Sequence, residues 1–228
     1  LSPDTGQRGW GYRAQGTMVA GPKATPRVVR QLIVVGTDAG EVIALPAAGW
    51  NQVPPAGPAW SRRLLGAVGG EFAVTEILTG EIHQVSAIVP CEDGGLYCLD
   101  VATGASRWVR RRDGPFRRLP TVAGARVSAR SLHRMEVVDR RTGELSWPST
   151  EGKGLEGLAD YEFALSAYTG DDRRAYLDMG GRRVVRADGR TGKRLAAADL
   201  SVFDHVIPTG NANLLLAVTE DGHMVAFQ

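Results

Sequence analysis

Apolar and polar positions alternate in short runs along the whole chain, and turn residues separate the runs. Strongly alternating helix-length stretches are absent, so the pattern predicts strands. The clearest run is residues 86–112, SAIVPCEDGGLYCLDVATGASRWVRRR. Ala87 to Pro90 is apolar, Glu92-Asp93-Gly94-Gly95 is a turn, and Leu96 to Leu99 is a short alternating run ending at Asp100. Turn residues between two β-prone runs predict a hairpin. A second turn follows at Asp100-Val-Ala-Thr-Gly104, where the carboxylate can accept backbone N–H groups and the glycine can take a positive φ. The chain then enters a strand carrying Trp108, which makes the unit at least three antiparallel strands.

The same grammar returns at residues 34–50, 129–147, 175–195 and 214–228. The last copy stops where a D-x-x-T-G turn is due, and the missing part stands at the other end, where Ser2-Pro-Asp-Thr-Gly6 precedes Trp10. Repeats of several strands predict an all-β fold, a β-propeller of four-stranded antiparallel blades. Five blades are expected, closed by the N-terminal strand (residues 1–16) joining the last blade, as one domain spanning residues 1–228. Trp10, Trp108 and Trp147 hold one repeated place, and Trp60 joins them if Asn51 to Ala59 is an insertion. A large flat side chain at a repeated position is expected to pack between neighbouring sheets. Ala73 to Leu78 reads as the innermost strand of the second blade, although EILTGEIHQ also fits a helical turn.

Composition adds little to this picture. Hydrophobic residues make up 43%, enough for a core, and the formal charge of +2 by itself argues for neither nucleic acid nor membrane. No run of about 18 apolar residues is present to span a bilayer. The sequence begins at Leu1 without a methionine, so an upstream segment is expected to have been removed or left out. Counting outward from Gly94-Gly95 places Cys91 and Cys98 opposite each other, as a disulfide needs; the other reading is two small core-filling thiols.

Candidate chemistry is sparse. His83, His133, His205 and His223 lack zinc-site spacing, although His133 and His223 lie in or beside equivalent turns. Asp38, Glu92, Asp93, Asp178, Glu220 and Asp221 recur in hairpin turns, where Asp and Gly simply make tight turns. Glu71, Glu76, Glu162 and Asp204 are the carboxylates that the expected inner strands offer to acid/base chemistry. No catalytic residue, metal-ligand set or cofactor site is assigned. Arginines crowd between Arg107 and Arg141, and Arg110, Arg111, Arg112, Arg117 and Arg118 are expected to form a basic rim for an acidic partner. The alternative is a solvated face, since strand alternation splits neighbours.

A strand followed by D-x-x-T-G and, four residues later, Trp resembles the PQQ-like repeat of quinoprotein-dehydrogenase-like propellers. Asp100 to Trp108 and Asp139 to Trp147 match in full, Asp188 to Gly192 matches without the Trp, Ser2 to Trp10 has Ser for Asp, and Pro46 to Trp50 is a degraded copy. The resemblance gives Asp100, Gly104, Asp139, Gly143, Asp188, Gly192 and the tryptophans structural roles. Catalytic members of that family have eight blades, a quinone, a metal beneath it and a disulfide between adjacent cysteines. Five copies and separated cysteines here imply a non-catalytic member without a cofactor. The role implied is a protein-interaction scaffold in a bacterial periplasmic or other extracytoplasmic assembly. Membrane association would come through a partner or an N-terminal anchor. The alternatives are a C-terminal fragment of a quinoprotein dehydrogenase and a five-bladed carbohydrate-binding or glycoside-processing propeller.

Overall fold

A computed structural model describes residues 11–26, 31–47, 57–79, 82–117, 119–131, 135–147, 164–168, 174–178, 183–188, 194–199, 202–208 and 215–227. All the elements among them are β-strands. The chain divides into two compact units, Leu1–Leu119 and Pro120–Gln228.

The first unit holds two four-stranded antiparallel sheets in sequential order. One contains β1 (Met18–Ala24), β2 (Leu32–Thr37), β3 (Glu41–Pro46) and β4 (Trp60–Arg63). The other contains β5 (Ala73–Thr79), β6 (Ile82–Pro90), β7 (Gly95–Asp100) and β8 (Ser106–Arg111). The described residues of EILTGEIHQ are therefore in paired strands and not in a helical turn, with Thr79 opposite Ile82. The middle strands are near-continuous apolar runs because both of their faces are buried. Val34, Val42 and Ala44 of the first sheet share a core with Val85, Ala87, Val89, Tyr97 and Leu99 of the second. Each Val, Leu or Phe buried in this way stabilises the fold by about 1.5–3 kcal/mol relative to an exposed side chain.

The linker between the sheets is stitched to both. Leu64 N–H donates to Gly40 O at 2.7 Å and Val68 N–H to Thr37 O at 3.1 Å. On the other side Gly69 N–H donates to Pro90 O at 2.8 Å, and Glu92 N–H donates to Ala67 O at 2.9 Å. The exit from the second sheet repeats half of this pattern, with Arg112 N–H on Gly94 O at 2.8 Å and Phe116 N–H on Cys91 O at 3.1 Å.

The second unit holds β9 (Thr121–Ala123), β10 (Arg126–Arg130), β11 (Met135–Asp139) and β12 (Leu145–Trp147) in one sheet. A second sheet contains β13 (Ala164–Tyr168), β14 (Arg174–Asp178), β15 (Arg183–Asp188) and β16 (Arg194–Asp199). A third, of three strands, contains β17 (His205–Pro208), β18 (Leu215–Val218) and β19 (Met224–Phe227). The expected blade-by-blade order is thus present in all five sheets. The expected closing strand falls on residues 1–16, of which 1–10 lie outside the described residues and 11–16 form no strand.

The hairpin at Cys91–Gly95 corrects the cysteine expectation. Cys91 N–H bonds Gly95 O at 2.9 Å, so the turn is centred on Asp93, one and a half residues before the centre assumed from the glycine pair. Gly94, with φ +80°, supplies the left-handed residue of this three-residue turn. Cys98 consequently lies opposite Ile88. Cys91 belongs to the core shared with the first sheet, as do Tyr97 and Leu99, so strand alternation turns Cys98 to the other face. Both thiols are buried and free.

Candidate functional site

The second sheet carries a polar cluster at each end. At the β6–β7 turn, Asp93 Oδ1 accepts Gly95 N–H at 2.8 Å, and Oδ2 accepts the Tyr97 hydroxyl together with Arg111 Nη1 at 3.1 Å. Arg111 Nη2 also donates to the Tyr97 oxygen at 3.0 Å, with the guanidinium 5.7 Å from the ring centroid. Burial opposes the charge on Asp93, but the hydrogen bonds from Tyr97, Cys91 and Gly95 outweigh it and hold the carboxyl below its ordinary value. Burial, followed by the Asp93 bond, pushes Tyr97 up to about 12. Burial also pushes each thiol up to about 11, so neither Cys91 nor Cys98 is a thiolate nucleophile at neutral pH. The cluster is a clasp that closes its own hairpin. Tyr97, four residues after a turn aspartate, was its overlooked sequence signal.

The other end is the Asp100–Gly104 turn. Asp100 Oδ1 accepts Thr103 N–H at 2.9 Å and Thr103 Oγ1 at 3.0 Å, while Gly104 N–H closes on Asp100 O at 2.7 Å. Asp139 builds the same turn, taking Arg141 N–H at 2.9 Å and Thr142 N–H at 3.0 Å, with Gly143 N–H on its carbonyl at 2.9 Å. Trp60 of the first sheet docks on the Asp100 turn: its Nε1 donates to Val101 O at 2.7 Å. A Cβ on Gly104, whose φ is +73°, would stand 2.7 Å from the Trp60 ring. Arg62 Nη1 adds a bond to Gly104 O at 3.2 Å. Trp60 of the first sheet thus packs against the turn of the second. Trp108 is buried on β8, and Trp147 lies on β12 in the same strand position. Trp10 and Gly192 lie outside the described residues, and Asp188 ends β15.

The arginines expected to form a basic rim do not act alike. Arg111 is held by Asp93, and Arg117 Nε lies 3.1 Å from Glu92 of the same turn. Arg110 sits opposite Leu96 and Arg111 opposite Gly95, so successive arginines point to different faces. Arg112 is exposed beside exposed Asp113, and Arg118 lies outside the described residues. The acids that balance Arg111 and Arg117 come from the β6–β7 turn, where a linear count of the arginine-rich segment does not find them.

The inner-strand carboxylates are dispersed. Glu71 pairs with Lys23 at 3.0 Å, Glu76 with His83, and Asp204 accepts Glu220 N–H at 2.6 Å; Glu162 lies outside the described residues. His223 pairs with Asp221 at 3.0 Å, while His133 is outside the described residues. Among the described residues no group of three or more His, Cys, Asp or Glu is placed to hold a metal ion.

With this repeat geometry in place, comparison with known proteins is direct. The family profile described as outer membrane protein assembly factor BamB matches residues 49–201, more than half of the chain's 228 residues. The chain belongs to this PQQ-like family. The crystal structure of BamB from Moraxella catarrhalis matches with a TM-score of 0.56 and 20% identity, over 96% of this chain and 63% of that one. The β-propeller domain of Cps50 (Swd1) from Myceliophteria thermophila matches at TM-score 0.53 and 13% identity, over 86% of this chain and 62% of that one. BBS1N, solved in complex with ARL6DN, matches at 0.51 and 16%, over 90% and 62%. These likenesses show a β-propeller fold, and this chain spans under two thirds of each neighbour. No curated protein matches the sequence.

Proposed function

We propose that the chain is a non-enzymatic PQQ-like propeller domain, spanning residues 1–228, that serves as a protein-interaction scaffold in a bacterial extracytoplasmic or membrane-associated assembly. The observation that carries this reading is the match of residues 49–201 to a family described as an outer membrane protein assembly factor. The described polar groups are consistent with it. Asp93, Asp100 and Asp139 are spent on their own turns, and the two thiols are buried. A ring of sheets offers rigid, loop-bearing faces for partners, although fold alone does not choose the partner. BBS1N was itself solved in a complex with another protein, which supports protein partners in general.

The test is affinity purification of the tagged chain from a bacterial envelope fraction, followed by size-exclusion chromatography. A stoichiometric protein that co-elutes with the chain is expected. Elution alone near 24.4 kDa would overturn the scaffold reading. The basic rim is a narrower proposal: Arg110, Arg112 and Arg117 are to be reversed to Glu while Arg111 is left in its clasp. Loss of the co-eluting partner is expected, and unchanged recovery would remove the rim while leaving the scaffold in place.

A further inference from the structure

Three sheets carry a D-x-x-T-G sequence after their third strand, starting at Asp100, Asp139 and Asp188. The residue opposite the turn aspartate in the ladder is Ser86 in the second sheet, Arg126 in the third and Arg174 in the fourth. Seven residues beyond each aspartate the outer strand bulges, and the residue passed over by the ladder is Arg107, Ser146 or Leu195. Arginine and serine have therefore changed places between the second and third sheets.

The contacts follow the exchange. Arg107 reaches back from its bulge, donating Nη2 to Asp100 Oδ2 and Nη1 to Gln84 Oε1. Arg126 comes from the ladder position instead, with Nη1 3.7 Å from Asp139 Oδ2 and 2.6 Å from Ser146 Oγ. Both arginine side chains are 21% exposed, and both leave Nε buried without a hydrogen-bond partner. In the fourth sheet, where the ladder position is Arg174, the bulge carries Leu195, which is 49% exposed. In the first sheet Pro46 stands where the aspartate would be, and opposite it is buried Leu32: the acid and the base are absent together.

We propose that each turn aspartate of this chain takes one guanidinium, and that the ladder and bulge positions are alternative, mutually exclusive sources of it. At Asp100 and at Asp139 one carboxylate oxygen is consumed by the turn's own N–H and hydroxyl groups. The other faces a half-buried space between strands, where an unpaired charge is costly. Arginine reaches that oxygen from either neighbouring strand, and the bulge aims the outer one inward. Two arginines would set like charges against one acid, so the second position is small or apolar. A consequence bears on partner binding. Arg107 and Arg126 belong to the interior of their sheets and are withdrawn from any basic rim.

The test is the exchange variant Ser86→Arg/Arg107→Ser beside each single variant, read by amide hydrogen exchange at Thr103 and Gly104. Arg107→Ser is expected to speed exchange there by about tenfold, the loss of one charge-assisted bond. The exchange variant is expected to return to within about threefold of the wild type. Because Ser86 is fully buried and a larger side chain there can unfold the sheet, the reciprocal pair Arg126→Ser/Ser146→Arg is measured at Thr142 and Gly143. Recovery in either sheet supports the proposal. Failure of both exchanges to recover, or an unchanged rate in Arg107→Ser, overturns it.

Discussion

The two ends of the second sheet use one device for two purposes. At Cys91–Gly95 and at Asp100–Gly104 an aspartate gathers N–H and hydroxyl donors, and an arginine of β8 satisfies its outer oxygen. The first turn spends these bonds on its own hairpin through Tyr97. The second leaves a carbonyl and a bare glycine face on which Trp60 of the preceding sheet sits. Similar local chemistry therefore makes a closed clasp at one end and an inter-sheet dock at the other. What decides is whether the turn's backbone remains available to a neighbour.

The comparison breaks most visibly at Trp60. Trp60→Ala removes a half-buried ring and its bond to Val101 O, and a loss of about 3 kcal/mol in urea unfolding is expected. Trp60→Phe keeps most of the packing and is expected to lose about 1 kcal/mol for the bond alone. A loss below about 0.5 kcal/mol in Trp60→Ala, the range of an ordinary surface change, would mean that the dock joins nothing.

Gly104→Ala attacks the same contact from the other side. A non-glycine residue in the left-handed region costs about 1–2 kcal/mol, and the added methyl group also meets the Trp60 ring. The second part is separable: in a Trp60→Ala background the clash has no partner, so the Gly104→Ala penalty should fall toward the backbone cost. Strict additivity would show that the two residues do not touch in solution.

Asp93→Asn sharpens the contrast. The clasp loses its charge while keeping an acceptor, so a loss of about 1–2 kcal/mol is expected. Amide exchange should quicken at Gly95 but not at Gly104, because Asp93 has no bond to the dock. Equal acceleration at both ends would make the sheet one cooperative unit and erase the distinction.

Much of this architecture was legible in the sequence because repeats speak to one another. Asp100, Gly104, Asp139 and Gly143 stand in equivalent places, and their turn is local enough to be read from five consecutive residues. Trp60 was placed by the same logic across an insertion. The cysteine register was misread because the loop length depends on which glycine takes the left-handed conformation, and the Gly94-Gly95 pair does not say which. The charge balance of the arginine-rich segment is hidden for a different reason. Arg111 and Arg117 find Asp93 and Glu92 only after the hairpin folds back, a pairing that charge counting along the chain does not see.

The smallest expected effect is a response to acid. Burial disfavours the charge on Asp100, but the hydrogen bonds from Arg107 and Thr103 outweigh it and lower its pKa, as the corresponding bonds do for Asp93. A carboxylate with a depressed folded pKa contributes stability that is fully present above its unfolded value of about 3.9 and is lost as pH falls through the lower folded value. The urea midpoint attributable to these two acids should therefore be flat from about pH 7 to pH 5 and decline below about pH 4. Asp93→Asn should make that decline shallower, since one of the two linked groups no longer titrates. A decline of unchanged steepness in Asp93→Asn would show that the clasp carboxylate has no lowered pKa in the folded chain. The acid response would then belong to the dock and to other carboxylates alone.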